Sequence, residues 1–230
     1  GVEVYREGIH TAPPIFAETP EEMVQAGYAQ VKRHAQAGKF VVTLGGEHSV
    51  TLGPVRALAE ACAPLSVLHL DAHGDTRDTY EGSPYNHACI MARVKECAAT
   101  TVSVGIRSID ASEARGLPPE RTFYAHHLRH DPEWQARVVD LLGGNVYVTI
   151  DLDVFDPSIL PATGTPEPGG LGWYEVMDLL AAVARSRRIV GFDVVELCPM
   201  GHPPSEFLAA KLIYGFLSHI RAHHAWGRST

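Results

Sequence analysis

The sequence predicts a single α/β domain, a mostly parallel sheet covered by helices on both faces. Three observations carry that expectation. Apolar runs of strand length alternate with stretches of helical period, the βαβ rhythm of a parallel sheet. At 230 residues with 45% hydrophobic content, the chain is long enough to bury one full core, and no repeat, low-complexity tract or linker divides it. Polar residues then gather where the apolar runs stop, at the carboxyl edge where open parallel sheets bind ligands.

The elements follow in order. "TPEE" opens the first helix: Thr19 caps, Pro20 suits the first helical position, and Glu22 completes a capping box before a periodic stretch to about Gly38. "KFVVTL" is β-branched and apolar, so it reads as a strand, stopped by Gly45-Gly46. The same argument assigns strands to "SVLHL", "TTVSVGI", a short "TFYA", "VYVTI" and "RIVGFDVV". Helical segments are expected at about 52 to 62, 86 to 97, 132 to 142, 173 to 186 and 205 to 222, with Asp131-Pro132 and Ser205 as start signals. All of residues 1–230 are read as one domain.

Composition excludes several classes of function. A formal charge of −8 argues against nucleic-acid and anionic-membrane partners and suits a cationic small substrate. There is no apolar run near the roughly 18 residues of a membrane span, and no secretory segment opens the chain. The 4 cysteines, Cys62, Cys89, Cys97 and Cys198, show no CxxC spacing. They read as reduced thiols of a cytoplasmic protein. The chain starts at Gly1 without Met, so an upstream piece is expected.

Four strands deliver polar residues at their carboxyl ends. "KFVVTL" runs into "GGEHS", "SVLHL" into "DAHGD", "VYVTI" into "DLDVFDP" and "RIVGFDVV" into Glu196. Crowded carboxylates repel one another, and an unpaired buried one costs several kcal/mol or takes up a proton, so a cation is required at this edge. On an extended strand, residues i and i+2 point the same way about 7 Å apart. That puts Asp71 with His73, and Asp151 with Asp153, a spacing for two ions about 3.5 to 4 Å apart. Gly74 is expected to bend the chain and return Asp75 to the same centre, and Gly45-Gly46 to deliver His48. His48, Asp71, His73, Asp75, Asp151 and Asp153 together offer oxygen and imidazole ligands without sulfur. That set favours Mn2+ over Fe2+, Co2+, Ni2+ or Zn2+, and its carboxylates balance two divalent ions.

"GGEHS", "DAHGD" and "DLDVFDPSILPATGTPEPGG", in this order from about residue 37 to the C-terminus, resemble the arginase/agmatinase family of ureohydrolases. The resemblance implies an arginase-like three-layer α/β/α fold and two Mn2+ per subunit. One ion would be held by His48, Asp71, Asp75 and Asp151. The other would be held by His73, Asp71, Asp151 and Asp153, with Asp71 and Asp151 bridging. It further maps a proton-shuttling histidine to His87 in "YNHACIM", a guanidinium-binding glutamate to Glu196, and the threonine of the "TGTP" loop to Thr163. Asp153 would accept a proton during hydrolysis of a guanidino group to urea and an amine. A homotrimer or hexamer is implied as well.

The chain departs from the family pattern at Glu47, commonly Asp, and at Asn86, commonly Ser; neither is a ligand. A first strand and a Gly/Pro/Arg-rich loop are usual upstream in the family, and this sequence is expected to begin after them. "DTYEGSPYNH" lacks the Ser/Asn segment with which arginases grip an α-amino acid, while "DTRDTYEG" and "VGIRS" look like agmatinases. Agmatine, giving putrescine and urea, is therefore the expected substrate. Guanidinobutyrate or arginine is the alternative, and a non-catalytic polyamine- or guanidine-binding protein is the alternative from another class.

Other polar residues are assigned no chemistry. His126 and His127 read as a solvated loop pair facing apart, and His219, His223 and His224 as cations near a helix end. Asp156 is expected to cap a turn, Asp78 to support a ligand, and Asp193 to be structural. Trp134 and Trp173 pack in helices. Arg107 reads equally as an interface or a site-wall residue.

Overall fold

A computed structural model of the chain describes residues 2–199 and 201–224. Six strands form one sheet in the order β1-β6-β5-β2-β3-β4. They are β1 Val41–Leu44, β2 Leu65–Leu70, β3 Thr100–Ile106, β4 Thr122–Tyr124, β5 Asn145–Asp151 and β6 Arg188–Val195. Every neighbouring pair is parallel. The chain builds outward from β2 through β3 to β4, then returns so that β5 and β6 fill the space between β2 and β1. The strands bearing the four polar motifs, β1, β6, β5 and β2, are thus contiguous, and the switch in direction between β2 and β5 opens the crevice they share.

Alternation along the strands makes the layers. Leu68, Leu70, Val102, Val104, Val148 and Ile150 face one side with α6 (Trp134–Leu141), α7 (Trp173–Ser186) and α8 (Pro203–His223). Leu65, Val67 and Tyr147 face the other with α1 (Pro20–Gln36), α2 (Leu52–Ala61) and α3 (Ile90–Val94). Each large side chain so buried contributes about 1.5–3 kcal/mol, an upper figure for a realistic unfolded chain. Among the described residues no helix is long and apolar enough to cross a membrane.

Several local expectations are corrected. Thr19 Oγ1 accepts the Glu22 N–H at 3.2 Å, but the Glu22 carboxylate takes the Glu18 N–H at 3.1 Å, so the reciprocal bond closes one residue earlier than a capping box. The segment expected to be helical from 86 contributes a 3-10 turn, His87–Cys89, and only Ile90–Val94 as α-helix. Asp131 accepts the Glu133 N–H at 3.0 Å, and α6 starts at Trp134 rather than 132. The last helix starts at Pro203, with the His202 side chain accepting the Ser205 N–H at its first turn. Two short helices lack an apolar period and escaped the pattern: α4 (Ala111–Gly116), closed by an Asp110/Glu113 capping box, and α5 (Ala125–Leu128). His126 and His127 lie on α5 with ring centroids 4.0 Å apart, not turned away from each other on a loop.

Candidate active site

His48 follows β1 on a 3-10 turn, His48–Thr51, and is fully buried. Its Nδ1 sits 3.2 Å from Asp71 Oδ2, 3.1 Å from Asp75 Oδ2 and 3.3 Å from Asp151 Oδ2. The other nitrogen, Nε2, lies 2.8 Å from Thr149 Oγ1, whose hydroxyl donates to Asp193 Oδ1 at 2.7 Å. Thr149 has one proton to give, and the carboxylate takes it. His48 Nε2 is therefore the protonated nitrogen, and the Nδ1 lone pair faces three acceptor oxygens without a hydrogen-bond partner.

A cation resolves that arrangement. Metal–ligand bonds of about 2.2 Å at right angles put adjacent ligand atoms about 3.1 Å apart. The observed separations match this spacing. Asp75 reaches the centre because its own backbone turns left-handed at φ 52°, while its carbonyl accepts the Met91 N–H at 2.9 Å. The bend is thus at Asp75 and not at Gly74. Gly74 is closely packed instead: a Cβ there would meet Ile109 Cγ2 and Leu117 Cδ1 at 3.1 and 3.2 Å, so those side chains would have to shift to admit it.

The second cluster joins Asp71, His73 and Asp153. His73 Nδ1 is 2.9 Å from Asp153 Oδ2 and 3.5 Å from Asp71 Oδ1. Asp151 ends β5, but Asp153 lies on a 3-10 turn, Leu152–Val154, so the two are not paired by strand alternation as expected. The Asp153 N–H donates to Asp151 Oδ1 at 2.8 Å, and Asp153 Oδ1 accepts the Ala72 N–H at 3.0 Å. A tight turn, anchored on the neighbouring loop, aims both carboxylates.

Electrostatics point the same way. Burial, with the charges of Asp71 and Asp153 adding to it, pushes the Asp151 carboxyl well up. Burial and then Asp71 raise Asp75. Burial opposes the charged form of His73, but its bonds to Asp153 and Asp71 outweigh this and hold it up at about 11. Burial likewise opposes the charged form of His48 and is outweighed by the carboxylates of Asp151, Asp71 and Asp75 that its Nδ1 faces. Burial opposes ionisation of Asp71 too, but His69, His48 and His73 outweigh it and hold that carboxyl low. Carboxyls that resist ionisation at Asp151 and Asp75, beside imidazoles drawn toward the charged form, mark a pocket that calls for positive charge. His48 with Asp71 and Asp75, and His73 with Asp71 and Asp153, form two groups that could hold metal ions.

Glu196 ends the β6 motif at φ 64°, with its Oε1 accepting the His48 N–H at 2.7 Å. Burial, assisted by nearby Glu47, pushes its carboxyl up, against the pull of the His48 charge and N–H. His87 is half-exposed, its Nδ1 3.7 Å from Glu47 Oε2 and its ring edge-on to Tyr80 at 5.9 Å. Glu47 also receives the Ser49 N–H and hydroxyl. Thr163 pairs with Leu197 in an isolated bridge, and its buried hydroxyl has no hydrogen-bond partner among the described residues. Two residues on, the Thr165 hydroxyl lies 3.5 Å from Asp153 Oδ2, so the "TGTP" loop brings a second threonine to the centre.

Sequence reasoning missed His69, Thr149 and the place of Asp193. His69 Nε2 bonds Asp71 Oδ2 at 2.7 Å and its Nδ1 meets Ser103 Oγ at 3.1 Å, so both nitrogens are engaged in orienting a ligand. Its spacing from Asp71, two residues along a strand, was the available signal. Asp193 is joined by the Tyr147 hydroxyl at 2.7 Å, completing a buried relay behind His48. Asp78 does not support the site: its side chain is 89% exposed and pairs with Arg93. Asp156 caps the turn through the N–H groups of Ser158, Gly169 and Gly170. His224 donates to the Ala184 carbonyl at 2.8 Å.

With this geometry in hand, the chain was compared with known proteins. The model of the arginase family matches residues 3–218. An N(1)-aminopropylagmatine ureohydrolase of Synechocystis sp. is 38% identical over 96% of this chain and 74% of its own length. One from Thermus thermophilus is 41% identical over 90% of this chain and 72% of its own. The crystal structure of the agmatine ureohydrolase of Thermoplasma volcanium superposes with a TM-score of 0.80 at 32% identity, covering 89% of this chain and 70% of that one.

Proposed function

This chain belongs to the arginase family, and on that premise we propose that it hydrolyses a guanidino-amine of the agmatine type to urea and an amine, using two divalent ions. The single observation that carries the two-ion reading is a pair of ligand groups sharing Asp71: His48 Nδ1 at 3.1–3.3 Å from Asp71, Asp75 and Asp151 oxygens, and His73 Nδ1 at 2.9 and 3.5 Å from Asp153 and Asp71 oxygens. Mn2+ is the ion we assign, because the donors are carboxylate oxygens and imidazoles without sulfur. His48, Asp71, Asp75 and Asp151 would hold one ion, and His73, Asp71, Asp151 and Asp153 the other.

When bound, such a pair supplies Lewis-acid activation of a water, lowering its pKa from 15.7 to about 7. The chain's own residues do the rest. Glu196 carries negative charge to the planar guanidinium and orients its carbon toward the ion-facing carboxylates. Asp153 Oδ2, already turned into the centre, takes up a proton as the tetrahedral species forms. His87, half-exposed at the mouth, passes a proton between solvent and the departing amine. Thr163 and the loop it belongs to close the wall beside Glu196.

The two N(1)-aminopropylagmatine ureohydrolases that this chain resembles favour that compound over agmatine as the substrate within this class. Urea release from N(1)-aminopropylagmatine, agmatine, arginine and guanidinobutyrate, side by side with added Mn2+, tests the proposal. Turnover is expected for the first two. Preference for arginine or guanidinobutyrate would move the substrate assignment, and tight binding with no urea from any of them would identify a non-catalytic binding protein.

A further inference from the structure

We infer that Arg107 is a positioning residue that ties the His73/Asp153 half of the site to the loop that walls it. This rests on the two-ion reading above, though part of its test does not. Arg107 follows β3, and its guanidinium forms no ion pair among the described residues. It is spent on main-chain carbonyls instead. Nη2 donates to Asp153 O at 2.7 Å and Glu167 O at 2.8 Å, Nε to Pro168 O at 3.2 Å, and Nη1 to Gly105 O at 3.1 Å. Longer contacts reach Val154 O at 3.5 Å and Phe155 O at 3.4 Å.

These carbonyls come from three separate segments: the end of β3, the turn that carries Asp153, and the 163–170 loop. Only a planar fork with five donors reaches them all; a lysine ammonium is one atom with three. The main chain of Arg107 closes the circuit. Its N–H donates to Ala72 O at 2.8 Å, and the Ala72 N–H donates to Asp153 Oδ1 at 3.0 Å. Ala72 lies between Asp71 and His73, so one residue fixes the distance between two ligand-bearing loops.

The neighbouring residues are arranged around that fork. Ser108 Oγ donates to Glu167 Oε1 at 2.8 Å, a second tie between the end of β3 and the same loop. A side chain at Gly170 would lie 2.7 Å from Arg107 Nη2 and 2.5 Å from Asp156 N, so only glycine lets the loop close over the guanidinium. His48 and Asp75 have no bond to Arg107 and hang on other supports, His48 on Thr149 and Asp75 on its own left-handed turn. The consequence is selective: loss of Arg107 loosens one half of the centre and leaves the other.

The test uses Arg107→Met, Arg107→Lys and, as the reference for a lost second ion, His73→Ala, all in the full chain. In ion-free protein, hydrogen exchange of the segment 153–171 should be about 10-fold or more faster in Arg107→Met than in the parent, with Arg107→Lys between them. In Mn2+ titrations the first ion should bind as in the parent, while the second binds about 10-fold or more weakly, approaching His73→Ala. Parent-like exchange together with parent-like binding of both ions in both Arg107 variants would overturn the inference. If Arg107→Met fails to fold, Arg107→Lys decides by the same two readouts. If the parent itself binds no second ion, the two-ion reading fails, and the exchange comparison still judges the clamp.

Discussion

Thr149→Val keeps the shape of a fully buried side chain and removes one hydroxyl. In the parent, that hydroxyl accepts from His48 Nε2 at 2.8 Å and donates to Asp193 at 2.7 Å. The valine leaves a buried imidazole N–H with no acceptor, at a cost of about 1–3 kcal/mol. It also takes a donor from a buried carboxylate, a bond worth about 1.5–3 kcal/mol, although the Tyr147 hydroxyl remains to offset part of that. A loss of about 2–5 kcal/mol from the ion-free protein is expected in denaturant unfolding. Free of its acceptor, His48 can change tautomer or rotate, so affinity for the ion at Nδ1 should fall about 10–100-fold, the range for groups that orient a metal-binding histidine. Thr149→Ser keeps the hydroxyl and loses a methyl, and should stay within about 1 kcal/mol of the parent and bind ions normally. Calorimetric Mn2+ titration of all three proteins gives the comparison. Parent-like stability and affinity in Thr149→Val would refute the relay, and with it the assignment of the Nδ1 lone pair to the site.

Three further outcomes follow from the same geometry. Asp151→Asn keeps an oxygen for the Asp153 N–H, so the turn should survive; a neutral amide bridges two dications poorly, and bound metal by elemental analysis should drop from about two ions toward one or none. Glu196→Gln likewise keeps an acceptor for the His48 N–H; ion content should hold while kcat/KM falls by about 10²-fold or more, and undiminished turnover would shift the guanidinium contact to another carboxylate. His87→Asn should retain both ions and lose about 10²-fold or more in kcat, partly restored by added imidazole, because positioned acid–base groups contribute about 10²–10⁴-fold; an unchanged pH–rate profile would make His87 a surface residue.

The sheet was legible because its strands are mostly apolar runs of strand length, most of them ended by glycine or by charge. β3 and β6 run over the residues expected. The clustering of His48, Asp71, His73, Asp75, Asp151 and Asp153 was legible for a related reason: carboxylates and histidines at strand ends have no use in a core. What escaped depends on register. His69, Thr149 and Asp193 sit side by side on β2, β5 and β6, with His69 opposite Thr149 and Thr149 opposite Asp193. Taken one strand at a time, each is an isolated polar residue in an apolar run, and only strand order turns them into a row behind His48. Arg107 was left between an interface and a site-wall role, because its partners are main-chain carbonyls, which leave no mark on the sequence. The turn at Asp153 and the left-handed Asp75 were misread as extended strand and glycine bend, because alternation describes a strand and not the loop just beyond it.

The central claim is that two ions on one set of residues drive guanidino hydrolysis, and one measurement addresses it directly. Chelated protein is titrated with Mn2+, and bound ions per chain are counted in the same samples in which urea release from agmatine and N(1)-aminopropylagmatine is followed. Saturation is expected at two ions, with urea release rising chiefly as occupancy passes from one toward two. Saturation at a single ion, or full urea release from protein holding one ion or none, would contradict it.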